Sequence, residues 1–432
     1  MPFDTPANYR PLSAQDIVVY LHSLPAIRER LGGEPFDWSL KEVSDGYLNL
    51  VYLVDGPNGS VCTKQSLPHV RVDENWPLPL DRTYCEKLYF ETVAPYTNGR
   101  TPALFHYDEE LSLLIMEKLA PHEVLRGNLI AGKRVPNVGK VVGEYVARTT
   151  FFTSDFHQRS EFKIESIAKF RRNHVLHRIM IELVYQDPYI TIDRSHWTTP
   201  QLDAFAQDFR TNGRLRAAAG RLARKFLASP QALVHNDLHA GAVMATDDDV
   251  RIIDPEFAVF GPIGVDPGIF IGHLLIAYFA QPAYATTEDD RKDLQSWILE
   301  QIADFWHSFR GNFIDLWRGN PGGDAYLDIQ FSDVVGQAIL EQERQSFLDE
   351  IFADTLSFAA AAIIRSIVGY SHFPELESIT DPDRKAASEA GVLSLARAIL
   401  LDPGQFRGIG DLLAATPAFQ RAPAAAGTVL NP

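Results

Sequence analysis

Cysteine is scarce in this chain: Cys62 and Cys85 are the only two in 432 residues. A secreted fold of that size held by disulfides would carry more, so the composition predicts a reducing, cytoplasmic setting. An excess of basic residues is missing too. Lys and Arg number 40 against 56 Asp and Glu, a formal charge of −16. That charge repels phosphate backbones and anionic lipid alike, and no local basic patch offsets it, so neither nucleic acid nor a membrane is an expected partner. The opening MPFDTPANYR lacks the basic-then-apolar order of an export signal. His273 and Arg365 interrupt the two most apolar stretches, which excludes a spanning segment by this reading. No internal repeat is visible.

What is present is ordinary globular material, 46% apolar and 22% charged. The length exceeds what one hydrophobic core usually serves, so two domains are expected. From Trp38 to Met116 the pattern is strand-like, with LNLVYLV (48–54), a PNG turn (57–59), SVCTK (60–64) and LSLLIM (111–116). Within it, LDRTYCEKLYFETVAPY (80–96) carries apolar residues at Tyr84, Leu88 and Val93, which suits one helix laid on the sheet. After EKLA (117–120) the periodicity turns helical through 138–154, 202–229 and most of 287–370. The expected architecture is α+β and bilobal, a sheet-rich lobe over 1–116 and a mainly helical lobe over 117–432. VMATDDDVRIID (243–254) is the exception, read as a β-hairpin around an acidic turn. The Ala/Pro-rich stretch 413–432 is read as a loosely held tail.

Phosphoryl transfer from ATP needs a base for the attacking hydroxyl, carboxylates for Mg²⁺, and a cation on the donor phosphates. HNDLHAGAV (235–243) follows an apolar run and leads into the hairpin, so its polar residues sit in a loop braced at both ends. The returning leg brings Asp254 back beside Ala242, near the loop carrying Asp237. Asp254 and Glu256, two residues apart on one strand face, are the expected Mg²⁺ ligands, and Asp237 is left to accept the substrate proton. In the first lobe Lys64 ends a strand opposite SDGYLNLVY (44–52), whose Asp45, Gly46 and Asn49 are candidate nucleotide contacts, the first two in a tight turn over phosphate. A lysine among apolar strands needs a counter-charge, supplied by Glu86 with Glu91 as second choice.

These segments resemble the 5-methylthioribose kinases, relatives of the aminoglycoside and choline kinases in the protein-kinase-like superfamily. The resemblance rests on SDGYLNLVYLV, KQSLPHVRVDENWPLPLDRTYCE (64–86), HNDLH, IDPEFAVFGPIGVDPG (253–268) and RSIVGYSH (365–372), and it spans most of the chain. It implies a Lys64–Glu86 pair on the phosphate side, Met116 to Leu119 (with Glu117) along the adenine, Asp237 as base, and Asp254 with Glu256 on magnesium. It further implies Trp76 on a mobile loop over the sugar, Arg365 at the sugar, ATP and Mg²⁺ as cofactors, and a homodimer. The implied reaction phosphorylates the anomeric hydroxyl of methylthioribose, giving the 1-phosphate in methionine salvage.

The chain departs from the family pattern at three positions. Asn236 stands where Gly is common. Ala242 replaces a metal-binding Asn or Ser, so Glu256 must carry more of the metal contact. Ser366 replaces a second arginine after Arg365. GNLIAGKR (127–134) matches a P-loop core by chance, because Arg134 replaces the metal-binding Ser/Thr. His235 and His239 share a zinc-helix spacing, but Asn236 stands where a metalloprotease needs Glu. His235 is read instead as a loop brace donating to a backbone carbonyl, His239 as structural support, and Asp266 as a buried carboxylate capping the next helix and bracing the loop.

Overall fold

The computed structural model describes residues 3, 5–43, 48–71, 73–320 and 322–420. Two helices absent from the sequence reading open the chain, α1 (Ala14–Ser23) and α2 (Pro25–Leu31). Ser13 and Asp16 close a capping box on α1, and Ile17 and Leu21, one turn apart, bury its inner face. They pack on a five-stranded antiparallel sheet built from β1 (Ser39–Val43), β2 (Asn49–Asp55), β3 (Ser60–Ser66), β6 (Leu104–Asp108) and β7 (Leu113–Met116), in the order β1-β2-β3-β7-β6. A separate hairpin, β4 (His69–Val70) with β5 (Asp73–Pro77), precedes helix α3 (Arg82–Val93). Lys64 therefore lies on the central strand, opposite Val51 on one side and Leu114 on the other.

Helix α3 differs in detail from its expected face. Tyr84 and Leu88 are only half-buried, while Arg82, Glu86, Tyr89, Phe90 and Val93 are buried. Arg82 and Glu86 are four residues apart and so share a helix face. Tyr89, Phe90 and Val93 join the large core of the helical region.

That region begins with β8 (Glu123–Val124), α4 (Leu125–Ala131), α5 (Val138–Thr153), α6 (Ser160–Phe170) and α7 (His174–Met180). The helical run 202–229 divides at Asn212 into α8 (Asp203–Thr211) and α9 (Gly213–Ala228), because the Asn212 side chain caps the second helix. Short strands follow: β9 (Ala232–Val234), β10 (Val243–Ala245), β11 (Val250–Ile252) and β12 (Val259–Gly261). Strands β10 and β11 form the expected hairpin, β8 pairs with β10, and β9 pairs with β12. The segments 235–242 and 253–258 thus run between two small ladders that fix their ends.

The remainder is α10 (Val265–Tyr284), α11 (Lys292–Gly319), α12 (Val334–Val368), α13 (Pro374–Glu377), α14 (Pro382–Leu401) and α15 (Ile409–Gln420). The expectation of a loose tail from 413 is corrected as far as Gln420, since Leu412 and Thr416 anchor α15; residues 421–432 lie outside the described residues. Helix α12 is long and apolar enough to cross a membrane, contrary to the sequence reading, yet 83% of its most apolar window is buried inside the protein. Gly264, which caps α10, and Gly268 within it let α12 approach closely: a Cβ on Gly268 would stand 2.6 Å from the Phe358 Cβ. This contact sets Asp266, at the start of α10, and Arg365, near the end of α12, against one loop.

Candidate active site

Lys64 is buried in the sheet, and its Nζ lies 2.7 Å from Glu86 Oε2 and against Asp254 Oδ1. Burial pulls the ammonium's pKa down, but Asp254, Glu86 and Glu256 outweigh it and hold the group above the usual lysine range. Lys64 is therefore charged at any working pH. Glu91 instead pairs with Lys87 on the outer face of α3, so the second-choice partner is corrected.

Asp254 and Glu256 were expected on one strand face, but β11 ends at Ile252 and Asp254 adopts φ +66°. The turn sends the two carboxylates to different cations. Asp254, its side chain 45% exposed, meets Lys64; Glu256, nearly buried, accepts from Arg82 Nε at 3.2 Å and Asn49 Nδ2 at 3.1 Å. Arg82 is fully buried and also donates to the carbonyls of Leu48, Leu67 and Pro79 and to Asn49 Oδ1. One guanidinium thus ties the β2 edge, the β4–β5 hairpin base and the segment after β11 together. For a divalent ion the donor set is uneven: Asp254 offers a half-exposed hard oxygen, whereas Glu256 has Oε2 committed to Arg82 and Asn49.

The loop after β9 is braced from below. Asp266 accepts the backbone N–H groups of His235 and Asn236, each at 2.7 Å. Its helix is capped by Gly264, so Asp266 sits inside the first turn and serves the loop, which corrects the capping expectation. Burial pushes the Asp266 carboxyl above its ordinary pKa although the loop N–H groups oppose this. His235 Nε2 donates to the Ile253 carbonyl at 2.8 Å, and its Nδ1 accepts from the Asp237 N–H at 3.3 Å, which fixes the neutral tautomer. Asn236 takes φ +66°, a region Asn tolerates, and its Nδ2 bonds the Phe257 carbonyl at 3.1 Å. Asp237 emerges from this frame, its side chain 18% exposed, with Oδ1 3.2 Å from Arg365 Nη2 and Oδ2 3.5 Å from His239 Nε2.

The other expected residues fall as follows. Met116 ends β7 buried, Leu119 is half-buried, and Glu117 accepts from the Ala103 N–H at 3.1 Å while its own N–H donates to the Ala103 carbonyl. Trp76 lies on strand β5, not on a loop, its ring 5.1 Å from Tyr370 and 5.3 Å from the Arg194 guanidinium. Ala242 is buried, and the Ile253 N–H bonds its carbonyl at 2.9 Å, so the residue beside it is Ile253, one position before the expected Asp254. Ser366 spends its hydroxyl on the Ala362 carbonyl at 2.6 Å. Gly127 lies within α4, so no phosphate loop exists there. His235 and His239 point to separate partners. Among the described residues no group of three or more His, Cys, Asp or Glu is arranged to hold a metal ion. Asp45 and Gly46 lie outside the described residues.

Sequence reasoning missed Arg82, Arg126, Phe373 and Glu375. The i, i+4 spacing of Arg82 and Glu86 was a usable signal; nothing local marks the other three.

Comparison with known proteins adds the following. Residues 39–297 match the phosphotransferase enzyme family APH. A methylthioribose kinase 1 of Oryza sativa subsp. japonica is 36% identical over 418 residues, 96% of this chain and 96% of that protein. A methylthioribose kinase of Escherichia coli O45:K1 is 36% identical over 411 residues, covering 94% and 97%. Among solved structures, an ethanolamine kinase of Plasmodium vivax aligns over 90% of this chain and 91% of its own, with 11% identity and a TM-score of 0.46.

Proposed function

Given that the chain belongs to the methylthioribose kinase family, with its bilobal protein-kinase-like fold, we propose that it transfers the γ-phosphoryl group of ATP to the anomeric hydroxyl of 5-methylthioribose. The product is the 1-phosphate. The observation that carries this reading is the meeting of the sheet's buried Lys64 with Asp254, on a segment hydrogen-bonded to the loop that presents Asp237. In this proposal Lys64 serves the donor phosphates and Asp237 the substrate hydroxyl, with the Asp254 segment linking the two.

In this mechanism Asp237 accepts the hydroxyl proton, and Arg365 orients both the carboxylate and the sugar. The anomeric hydroxyl is more acidic than an ordinary alcohol, so an aspartate base suffices. Lys64, kept charged by its carboxylates, neutralises the donor phosphates, while Met116 to Leu119 flank the adenine. Mg²⁺ would be held chiefly by Asp254, with Glu256 contributing where Arg82 leaves an oxygen free; it supplies charge neutralisation on the transferred group. Trp76, set against Tyr370 and Arg194, covers the sugar side. A homodimer in a reducing cytoplasm is part of the same proposal.

The test is ADP release with methylthioribose, 5-deoxyribose, ribose, choline, homoserine and an aminoglycoside. Turnover on methylthioribose above the rest is expected. Turnover confined to choline, homoserine or the aminoglycoside would reject the assignment. Because the Ser366 hydroxyl bonds its own helix, Arg365 is the cation this reading assigns to the sugar.

A further inference from the structure

Among the described residues, two side chains pair with the Asp237 carboxylate. Arg365 meets Oδ1, and the imidazole of His239 faces Oδ2 through Nε2 at 3.5 Å, a separation typical of catalytic contacts that tighten when substrate binds. Which proton His239 carries decides what it offers. The Gly241 N–H donates to its Nδ1 at 2.9 Å, and Arg126 Nη2 approaches the same nitrogen at 3.4 Å. Two donors on Nδ1 leave the proton on Nε2, the nitrogen facing the carboxylate.

Arg126 comes from α4, far away in sequence, and is held by the buried Glu375 of α13 at 3.0 Å. Phe373 lies against both guanidiniums, 5.0 Å from that of Arg126 and 5.3 Å from that of Arg365, with the His239 ring 5.4 Å from its own. One aromatic ring thus keeps both arginines in register with the loop.

We propose that His239 is a positioning residue for the base: held in its Nε2–H tautomer by Arg126 and the Gly241 N–H, it aligns the Asp237 carboxylate toward the substrate hydroxyl. The proposal rests on the reading of Asp237 as the base. Burial, with Arg126, His273 and Arg365 as facing cations or potential cations, holds the His239 ring well below the usual histidine range against the opposing charge of Glu375. The ring therefore remains a neutral donor.

Two measurements on the full chain test this. In ¹⁵N-histidine NMR without substrate, the ring signal lost in His239→Asn should show the proton on Nε2 and no titration between about pH 5 and pH 8. A proton on Nδ1, or titration in that range, overturns the proposal whatever the enzyme phosphorylates. In kinetics, His239→Asn keeps an acceptor for Gly241 but removes the group facing Asp237, whereas His239→Gln can reach Asp237 and leaves Gly241 unserved. The Asn variant should lose about tenfold in kcat with KM for ATP unchanged, and the Gln variant should recover part of that loss. The reverse order, Asn near wild type and Gln impaired, would make His239 a loop cap only. Failure of the wild-type enzyme on every pentose would reject the functional assignment, and the NMR result would still decide the tautomer.

Discussion

Replacing Glu375 with Gln should make the protein less stable at neutral pH by an amount that shrinks in acid. The carboxyl is 1% exposed and accepts from Arg126 Nε at 3.1 Å, with His273 Nδ1 3.9 Å away. Burial alone would raise its pKa; Arg126 and His273 outweigh burial and hold it at about 2, against 4.5 ordinarily. A carboxyl whose folded pKa is depressed stabilises the fold above its unfolded pKa, and the contribution disappears as pH falls toward the folded value. Each tenfold difference in proton affinity is worth about 1.4 kcal/mol, so ionised Glu375 contributes about 3 kcal/mol at pH 7. By the same linkage about 2 kcal/mol remains near pH 3.5. The assay is urea unfolding of both proteins, followed by tryptophan fluorescence, at pH 7, 5 and about 3.5. Loss of the Arg126 partner adds a pH-independent part, so the diagnostic is the narrowing of the gap by about 1 kcal/mol. A gap that is constant or widens in acid would refute the assigned charge state.

Three further outcomes are expected. Asp237→Asn should leave ATP binding nearly intact while lowering kcat by about a hundredfold or more; single-turnover rates near wild type would remove Asp237 from the role of base. Glu256→Gln should destabilise the fold by about 3 kcal/mol, because Arg82 loses its buried counter-charge, and should raise the magnesium needed for half-maximal rate. Unchanged unfolding and unchanged metal dependence together would count against both functions of Glu256. Asn236→Ala should cost about 2 kcal/mol, from the lost bond to the Phe257 carbonyl and the left-handed backbone, whereas Asn236→Gly should cost about 1 kcal/mol. Equal losses in the two variants would show that the φ of +66° carries no strain for alanine.

The elements most legible in the sequence were those whose stability is local. The 243–254 hairpin could be read because two β-branched runs flank an acidic turn, although its register brings Ile253, not Asp254, beside Ala242. The Lys64 strand and the helix carrying Glu86 were equally plain, and their pairing follows from the cost of burying a lysine alone. Helices α1 and α2 were missed because their buried stripe is thin, Ile17 and Leu21 in one and Ile27 and Leu31 in the other. The division at Asn212 escaped because apolar periodicity carries through a cap residue that keeps the next helix in phase.

The site was less legible than the fold for a specific reason. A carboxylate two residues from another reads as a same-face pair only if the chain between them is extended. At Asp254 it is not: φ of +66° redirects the chain, and no residue type at that position announces the turn as a glycine would. Once Asp254 turns toward Lys64, Glu256 needs a separate cation, and the fold supplies Arg82 from the first turn of α3, on the same face as Glu86. The same logic governs the far side of the loop, where Arg126, Phe373 and Glu375 come from α4 and the α13 segment, far apart in sequence, to meet at His239. Charges buried by tertiary contact obey pairing rules, not periodicity. A sequence can therefore show that a buried charge must have a partner, as it did for Lys64, while only the packed chain shows which one.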